Sequence, residues 1–137
     1  MVLPSPPAAA AAMQGALADA GLERVDYVNT HAMASEAGDI AELEALRQVF
    51  GSELPLLSST KGLSGHSLGA SAAQEAIYSL LMMKAGFIAG CANLDHPDPA
   101  ATGFPLVTGC VPRTLASVMS NSFGFGGTNA SLILRAI

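Results

Sequence analysis

The chain has 137 residues, of which half are hydrophobic and only 12% are charged. Its length suits one domain with a buried core, but its charged fraction is well below the roughly 25% of average soluble domains. Eleven acidic residues against six basic ones give a net charge of −5 without a basic cluster, which argues against nucleic acid or anionic membrane as a partner. So few charges leave little material for a solvent-facing surface. We therefore expect another domain or chain to cover part of this one.

The first third of the chain predicts a helix, a strand and a second helix. The alanine-rich segment from about Ala8 to Ala20 predicts an amphipathic helix rather than a secretory signal, because no Lys or Arg precedes Arg24. The β-branched and aromatic segment VDYVN predicts a strand, and the small polar segment after it predicts a loop. Apolar residues recur every three or four positions in GDIAELEALRQVFG, which predicts a helix. We expect Asp39 as its N-cap, with Glu42 three residues later and Gly51 just beyond its end.

The rest of the chain predicts one more long helix among short strands. LPLLSST predicts a strand, and a nearly apolar helix follows from about Ser67 to Lys84, closing at Gly86. Glu75 lies in the middle of that helix, and a charge at a bilayer centre costs about 2.5–3.5 kcal/mol, so we predict a core helix rather than a membrane span. GFIAGCANL predicts a strand or extended segment. TLASVMSNS and ASLILRAI predict two apolar strands joined by FGFGGTN. This order indicates an α/β fold with helices on both faces of a mixed sheet.

Three segments gather side chains that can do chemistry at positions that follow strands. His31 follows the first strand, Lys61 and His66 follow the second, and the glycine-rich segment Asn121–Asn129 lies between the last two. Each also has an ordinary interpretation: a hydrogen-bonded polar histidine, a surface lysine and a glycine turn. Glu75 in a core helix requires a partner, and Lys61 can be that partner.

The two cysteines, Cys91 and Cys110, match neither a disulfide framework nor a zinc-binding spacing. A reduced, cytoplasmic protein is therefore the simplest interpretation.

Four blocks occur together in this chain: VDYVNTH, GDIAELEALRQVFG, SSTKGLSGHSLGASAAQEAIYSLLMM and VMSNSFGFGGTNASLILR. With these blocks in this order, the chain resembles the C-terminal half of the β-ketoacyl-acyl carrier protein synthases, condensing enzymes of the thiolase fold. The resemblance runs over nearly all of the chain and is closest to the bacterial fatty-acid type. It implies that residues 1–137 form a single C-terminal-type domain, the C-terminal half of a thiolase-like fold.

The family's active site is Cys-His-His, and the resemblance assigns both histidines to this chain. His31 and His66 match them, and Lys61 matches the lysine before the second histidine. Glu75 matches the acidic residue that accompanies this lysine. Two neutral histidines can donate hydrogen bonds to the oxyanion that develops when a malonyl thioester loses carbon dioxide.

The resemblance also implies supporting residues and two departures. Phe123 and Phe125 match the family's gating loop, and the Phe125 amide matches a donor of the oxyanion hole. Where the family has His-Gly-Thr-x-Thr, this chain reads HAMAS. Met33 thus replaces a threonine expected to contact the pantetheine arm, while Ser35 keeps a hydroxyl. The second departure is the nucleophile, which in the family lies in the N-terminal half and is expected to be absent here; neither Cys91 nor Cys110 lies in a segment like it.

The function implied is one half of a β-ketoacyl-acyl carrier protein synthase, complete only with an N-terminal half from another chain. The reaction is the decarboxylative Claisen condensation of a malonyl thioester with an acyl thioester, in fatty acid or polyketide-type synthesis. Its expected partners are acyl carrier protein and a sister subunit in a homo- or hetero-oligomer. No metal or bound cofactor is expected, since the phosphopantetheine arrives on the carrier. The alternatives are a non-catalytic partner subunit similar to a chain-length factor, and an inactive isolated half.

Overall fold

A computed structural model describes residues 4–137, with Phe125 described by its backbone alone. The helices are α1 (Pro6–Ala20), α2 (Glu36–Phe50), α3 (Lys61–Ser64) and α4 (Ser71–Ala85). The strands are β1 (Tyr27–Asn29), β2 (Leu56–Ser58), β3 (Phe87–Ile88), β4 (Val111–Pro112), β5 (Ser117–Phe123) and β6 (Asn129–Arg135). Short 3-10 turns occupy Leu68–Ala70, Pro99–Ala101 and Phe125–Gly127.

The main sheet has the strand order β2-β1-β5-β6 and is mixed, as the sequence predicts. Strand β1 runs parallel to both β2 and β5, while β5 and β6 form an antiparallel hairpin along their whole length. Strands β3 and β4 form a separate antiparallel pair. Because β1, β2 and β5 are parallel neighbours, their carboxyl ends meet at one edge of the sheet.

Helices cover both faces of this sheet, which confirms the predicted architecture. Side chains alternate between the two faces along a strand, so neighbouring residues enter different clusters. Val28 and Met119 pack in the core formed with α1 and α2. Tyr27 and Val118 pack on the other side with Met82 of α4.

Helix α2 begins earlier than the sequence predicts, and its cap is a different residue. Ser35 is the N-cap, with its hydroxyl oxygen accepting from the Gly38 amide at 3.3 Å. The prediction of Asp39 as N-cap is wrong, because Asp39 lies in the first turn of the helix and its carboxylate binds amides of the preceding loop. Gly51 is confirmed as the residue after the helix and has a φ of 63°. That conformation favours glycine.

Helix α4 begins at Ser71 rather than Ser67, because Leu68–Ala70 form a 3-10 turn, and it closes at Gly86 as predicted. The residues that α4 buries are mostly polar, whereas its exposed face is apolar. The residues that it buries against the sheet include Ser71, Glu75 and Ser79. Its outward face carries leucine and isoleucine side chains that are about half exposed. Among residues 4–137, no helix combines the length and the apolar character needed to cross a membrane.

Candidate active site

The histidines and the first gating phenylalanine predicted from the sequence meet at the carboxyl edge of the sheet. His31 follows β1, His66 lies in the turn between α3 and α4, and Phe123 ends β5. The rings of His31 and His66 meet edge to face, with centroids 5.3 Å apart and an angle of 86° between their planes. The Phe123 ring lies 5.9 Å from that of His31. Parallel pairing of β1 with β5 thus brings together residues that are about ninety positions apart in the sequence.

The main chain of His31 is held by a buried carboxylate. Glu42 of α2 is 2% exposed, and its two oxygens accept from the backbone amides of His31 and Ala32, each at 3.0 Å. The Asn121 amide group also donates to Glu42, at 2.9 Å, and its carbonyl oxygen accepts from the Ser131 hydroxyl at 2.8 Å. Burial raises the pKa of Glu42 to about 7, although these hydrogen bonds oppose the rise.

A second carboxylate holds the rest of the loop after His31. Asp39 accepts from the successive amides of Met33, Ala34 and Ser35, each at 3.2 Å. Ala34 adopts a φ of 65°, a left-handed conformation that these bonds stabilise. The Met33 side chain is 42% exposed, whereas the Ser35 hydroxyl oxygen caps α2. The predicted role of both side chains toward substrate stays a prediction.

The ring of His31 lies in surroundings that favour its neutral form. Burial lowers its pKa to about 4, and the positive charges of Lys61 and His66 act in the same direction. Its Nδ1 atom is buried without a hydrogen-bond partner among the described residues. His31 is therefore a neutral imidazole at neutral pH, with one N–H that can be donated.

Lys61 and Glu75 form the ion pair that the sequence predicts. Their side chains are 3% and 2% exposed, and the Lys61 ammonium donates to Glu75 Oε1. Burial raises the pKa of Glu75, and the Lys61 charge opposes that rise. The pair joins α3 to α4 and so anchors both sides of the turn that carries His66. A buried pair of this kind contributes geometry more reliably than net stability.

The short helix α3 also contacts the chain after β3. A Cβ atom on Gly62 would lie 2.6 Å from the Ala92 carbonyl oxygen, so only glycine allows this close approach. The Asn93 amide group donates to the Gly62 carbonyl at 3.1 Å. These contacts fix the start of the turn that leads to His66.

Hydrogen bonds from the beginning of α4 orient the His66 ring. The Leu68 backbone amide donates to His66 Nδ1 at 3.2 Å, and the Ser71 hydroxyl lies 2.9 Å from the same nitrogen. Since Nδ1 accepts from an amide, the proton of a neutral His66 is on Nε2. Both histidines can therefore act as N–H donors.

Residues 1–95 of the chain match the family described as Beta-ketoacyl synthase, C-terminal domain. The chain belongs to the β-ketoacyl synthase family. It is 52% identical over 113 residues to 3-oxoacyl-[acyl-carrier-protein] synthase 1 of Escherichia coli strain K12, a match that covers 82% of the chain and 28% of that protein.

Solved structures of β-ketoacyl synthases have the same fold. The crystal structure of a β-ketoacyl synthase from Burkholderia phymatum STM815 matches with a TM-score of 0.94 and 40% identity, over all of this chain and 34% of that one. The ishigamide ketosynthase/chain length factor matches with a TM-score of 0.94 and 33% identity, over 98% of this chain and 34% of that one. The chain thus spans about a third of the length of these relatives and has the thiolase-like fold of β-ketoacyl synthases.

The glycine-rich segment of this β-ketoacyl synthase chain forms the turn of the β5–β6 hairpin. The Gly124 amide donates to the Thr128 carbonyl at 2.7 Å, and Gly126 and Gly127 have φ values of 80° and 85°. The side chain of Phe125 lies outside the described part of the chain. Its assignment to the gating loop and that of its amide to the oxyanion hole stay predictions.

The surroundings of Cys91 do not favour a nucleophilic thiolate. Cys91 Sγ accepts from the Ser59 amide at 3.3 Å, and burial raises the pKa of the Cys91 thiol. A nucleophilic cysteine needs a lowered pKa. Cys110 is exposed. The raised pKa of Cys91 argues against it as the nucleophile. The expectation that Cys110 does not carry the acyl group stays a prediction.

Sequence reasoning missed the buried polar residues that hold His31 and His66. The spacing of Glu42 from Asp39 indicates a capping box, although a carboxylate in the helix after His31 can equally bind back to the loop. In the sequence Asn121 is recognisable only as the start of a glycine-rich segment. No sequence feature marked Ser71 as a functional residue, because serine is common at the first turn of a helix.

Proposed function

We propose that the chain supplies the two-histidine half of a β-ketoacyl-acyl carrier protein synthase. The observation that carries this proposal is the edge-to-face contact of His31 and His66, whose ring centroids are 5.3 Å apart. Two histidine N–H groups at this separation can converge on one oxygen. The names of relatives such as 3-oxoacyl-[acyl-carrier-protein] synthase 1 support acyl carrier protein as the substrate carrier.

In the proposed reaction, the acyl group is a thioester on a cysteine that another part of the enzyme supplies. A malonyl thioester loses carbon dioxide as its carboxylate carbon–carbon bond breaks, and the electron pair moves into an enolate. The His31 and His66 N–H groups donate to the enolate oxygen as its charge develops. The enolate carbon then attacks the acyl thioester carbonyl, the cysteine thiolate leaves, and the β-ketoacyl product stays on the carrier. Donors placed for a developing oxyanion stabilise the transition state more than the ground state.

Lys61 and Glu75 act in this proposal through the histidines. Their pair anchors the turn of His66, and the Lys61 charge contributes to keeping His31 neutral. A neutral histidine can donate to an enolate oxygen without giving up its proton. Lys61 and Glu75 are therefore positioning residues in the proposed mechanism.

The partner proposed for this chain is an N-terminal ketosynthase half that carries the cysteine. The outward face of α4 supports this, because Ile77, Leu80 and Leu81 are between 50% and 55% exposed. Leu63 and Leu68, which flank His66 in the sequence, are 79% and 68% exposed. The apolar face of α4 and the exposed leucines near His66 in the sequence are suited to contact with a half that completes the same active site.

A second candidate is a non-catalytic partner subunit similar to a chain-length factor. Met33 favours it, because a thioether stands where the resemblance expects a threonine that contacts the pantetheine arm. The similarity to the ishigamide ketosynthase/chain length factor agrees with either role. The arrangement of both histidines with the lysine favours the catalytic role, since a subunit without chemistry has no need for two converging N–H donors.

The test is reconstitution of the chain with a protein that supplies the N-terminal ketosynthase half and its cysteine. Decarboxylation of malonyl carrier protein and formation of β-ketoacyl carrier protein are measured for the assembly and for the chain alone. We expect activity only in the assembly, and its loss in His31→Ala and His66→Ala. An assembly that forms but never decarboxylates would instead favour the chain-length-factor role.

A further inference from the structure

We infer that Ser71 is a positioning residue for His66, and that its hydroxyl holds the ring with the proton on Nε2. Ser71 is the first residue of α4 and is 4% exposed. Its Oγ lies 2.9 Å from His66 Nδ1 and also accepts from the Ser67 amide at 2.9 Å. The inference rests on the proposed function, in which His66 Nε2–H donates to the enolate oxygen.

Two backbone amides determine the direction of these hydrogen bonds. The Leu68 N–H points at His66 Nδ1, so this nitrogen must present a lone pair. The Ser67 N–H points at Ser71 Oγ, so that oxygen accepts there and keeps its own proton for another partner. The Ser71 O–H therefore donates to His66 Nδ1. A proton on Nδ1 would lie against the Leu68 N–H.

Of the two donors to His66 Nδ1, Ser71 is on the more rigid element. Leu68 has a φ of 52°, and its side chain is 68% exposed. Such a left-handed conformation is unfavourable for leucine. Ser71 begins a 15-residue helix that is packed on the sheet and is itself buried. We therefore assign to Ser71 the larger share in fixing the ring.

Ser71 also shares a helix face with the counter-ion of Lys61. Residues four apart lie one above the other on a helix, so Ser71 and Glu75 are stacked on the buried face of α4. One face thus provides both the hydroxyl that orients His66 and the carboxylate that binds Lys61. The orientation of the ring is coupled to the helix rather than only to the turn.

The first test measures the tautomer of the His66 ring and does not require enzyme activity. The chain, with its histidine ring nitrogens labelled with 15N, is studied by NMR in its parent form and as Ser71→Ala, Ser71→Thr and Ser79→Ala. The chain has three histidines, so His66→Gln assigns the signals of interest. Ser79 is the matched control, because it is fully buried on the same helix and its hydroxyl has no partner among the described residues. We expect one tautomer with the proton on Nε2 in the parent, Ser71→Thr and Ser79→Ala. In Ser71→Ala only the Leu68 amide still donates to Nδ1, so we expect a smaller excess of this tautomer, with the Nδ1–H form becoming detectable.

The second test uses the reconstituted synthase. Ser71→Ala should lower kcat for decarboxylation about 3- to 10-fold, the loss typical of one hydrogen bond, with KM for the malonyl carrier and acyl transfer to the cysteine unchanged. Ser71→Thr should restore the rate. An unchanged tautomer and rate in Ser71→Ala would overturn the inference, as would an equal loss of rate in Ser79→Ala.

If Ser71→Ala does not fold, Ser71→Cys replaces it in both tests, since a thiol has a similar volume and is a weaker donor. An intermediate tautomer mixture is then expected, and the parent tautomer would overturn the inference. If the parent synthase does not decarboxylate, the proposed function fails, while the NMR result still decides whether Ser71 fixes the ring.

Discussion

Glu42 binds His31 through the main chain and leaves its ring free. The carboxylate oxygen lies 3.0 Å from the His31 backbone nitrogen, while the ring Nδ1 has no partner among the described residues. The position of the histidine is thus fixed without using either ring nitrogen. Glu42 is buried and His31 is partly buried, and both have shifted pKa values, so their contacts affect stability in a pH-dependent way.

Folding stability should show two opposing dependences on pH. The pKa of Glu42 rises from an ordinary 4.5 to about 7, so its favourable contribution is present below about pH 4.5 and is lost as pH rises through 7. The pKa of His31 falls from 6.5 to about 4, so its contribution is present above pH 6.5 and is lost as pH falls toward 4. Glu42 contributes on the order of 3 kcal/mol to the pH-dependent part of the free energy of unfolding, and the partly exposed His31 contributes less.

Replacing one group should therefore remove its own contribution to the pH dependence, which appears as a change in stability relative to the parent. We expect the stability of His31→Gln, relative to the parent, to fall as pH rises from 5 to 7. The stability of Glu42→Gln, relative to the parent, should rise over the same range. Urea unfolding of the three proteins at several pH values measures this, with His96→Gln as the control for an exposed histidine. Curves that stay parallel across the range would contradict the assignment of these shifts.

Under the proposed function, loss of His31 or His66 should affect decarboxylation rather than acyl transfer. In the reconstituted synthase, His66→Ala and His31→Ala should each lower the decarboxylation rate about 10²- to 10³-fold, because each removes one donor from the developing oxyanion. Transfer of the acyl group to the cysteine should stay measurable. Radiolabelled malonyl and acyl carrier proteins separate the two steps. A variant that decarboxylates at the parent rate would show that its histidine has no role at the enolate.

Breaking the Lys61–Glu75 pair should cost more stability than replacing both of its members. Lys61→Met leaves a buried carboxylate without its counter-ion, and a loss of about 3–5 kcal/mol is expected. The double variant Lys61→Met/Glu75→Leu should recover much of this loss. Urea unfolding of the single and double variants forms a thermodynamic cycle. Additive losses would mean that the two groups do not interact as a buried pair.

Met33→Thr should improve binding of the carrier arm. A threonine hydroxyl can donate a hydrogen bond that a thioether cannot, and such a bond contributes about 0.5–1.5 kcal/mol. The expected result is a lower KM for carrier-bound substrate with little change in kcat. Met33→Val is the control, because valine has nearly the shape of threonine without its hydroxyl. A raised KM in Met33→Thr would instead indicate that Met33 lines the site for a different substrate.

The outward face of α4 should be required for association with the N-terminal half. Leu81→Glu places a charge on this apolar face and should prevent formation of the complex in size-exclusion chromatography with light scattering. Leu132→Glu is the control, since Leu132 is 48% exposed on β6 rather than on α4. Equal assembly of both variants with the N-terminal half would place the interface elsewhere.

The apolar patterns of the sequence predicted the helices and strands well, but they did not predict the hydrogen bonds of the candidate site. The apolar repeat of α2 and the nearly apolar segment of α4 indicated these two helices, and the segments around Val28 and Met119 indicated two strands that pair in the sheet. The N-cap of α2 was missed because Ser35 and Asp39 are both good capping residues, and only the path of the loop decides between them. The contacts of Glu42 with His31 and Asn121 depend on strand order, which no local pattern contains.

The two histidines are anchored to helices on opposite faces of one sheet. Glu42 of α2 fixes His31 on one side, and α4 fixes His66 on the other. The distance between the imidazoles is therefore a measure of how the two layers are aligned across the sheet. A core substitution such as Leu46→Ala in α2, or Met82→Ala in α4, is expected to change that alignment. If the two histidines bind the enolate as proposed, the core of this domain sets the spacing of the two donors, and core mutations should alter the reaction from a distance.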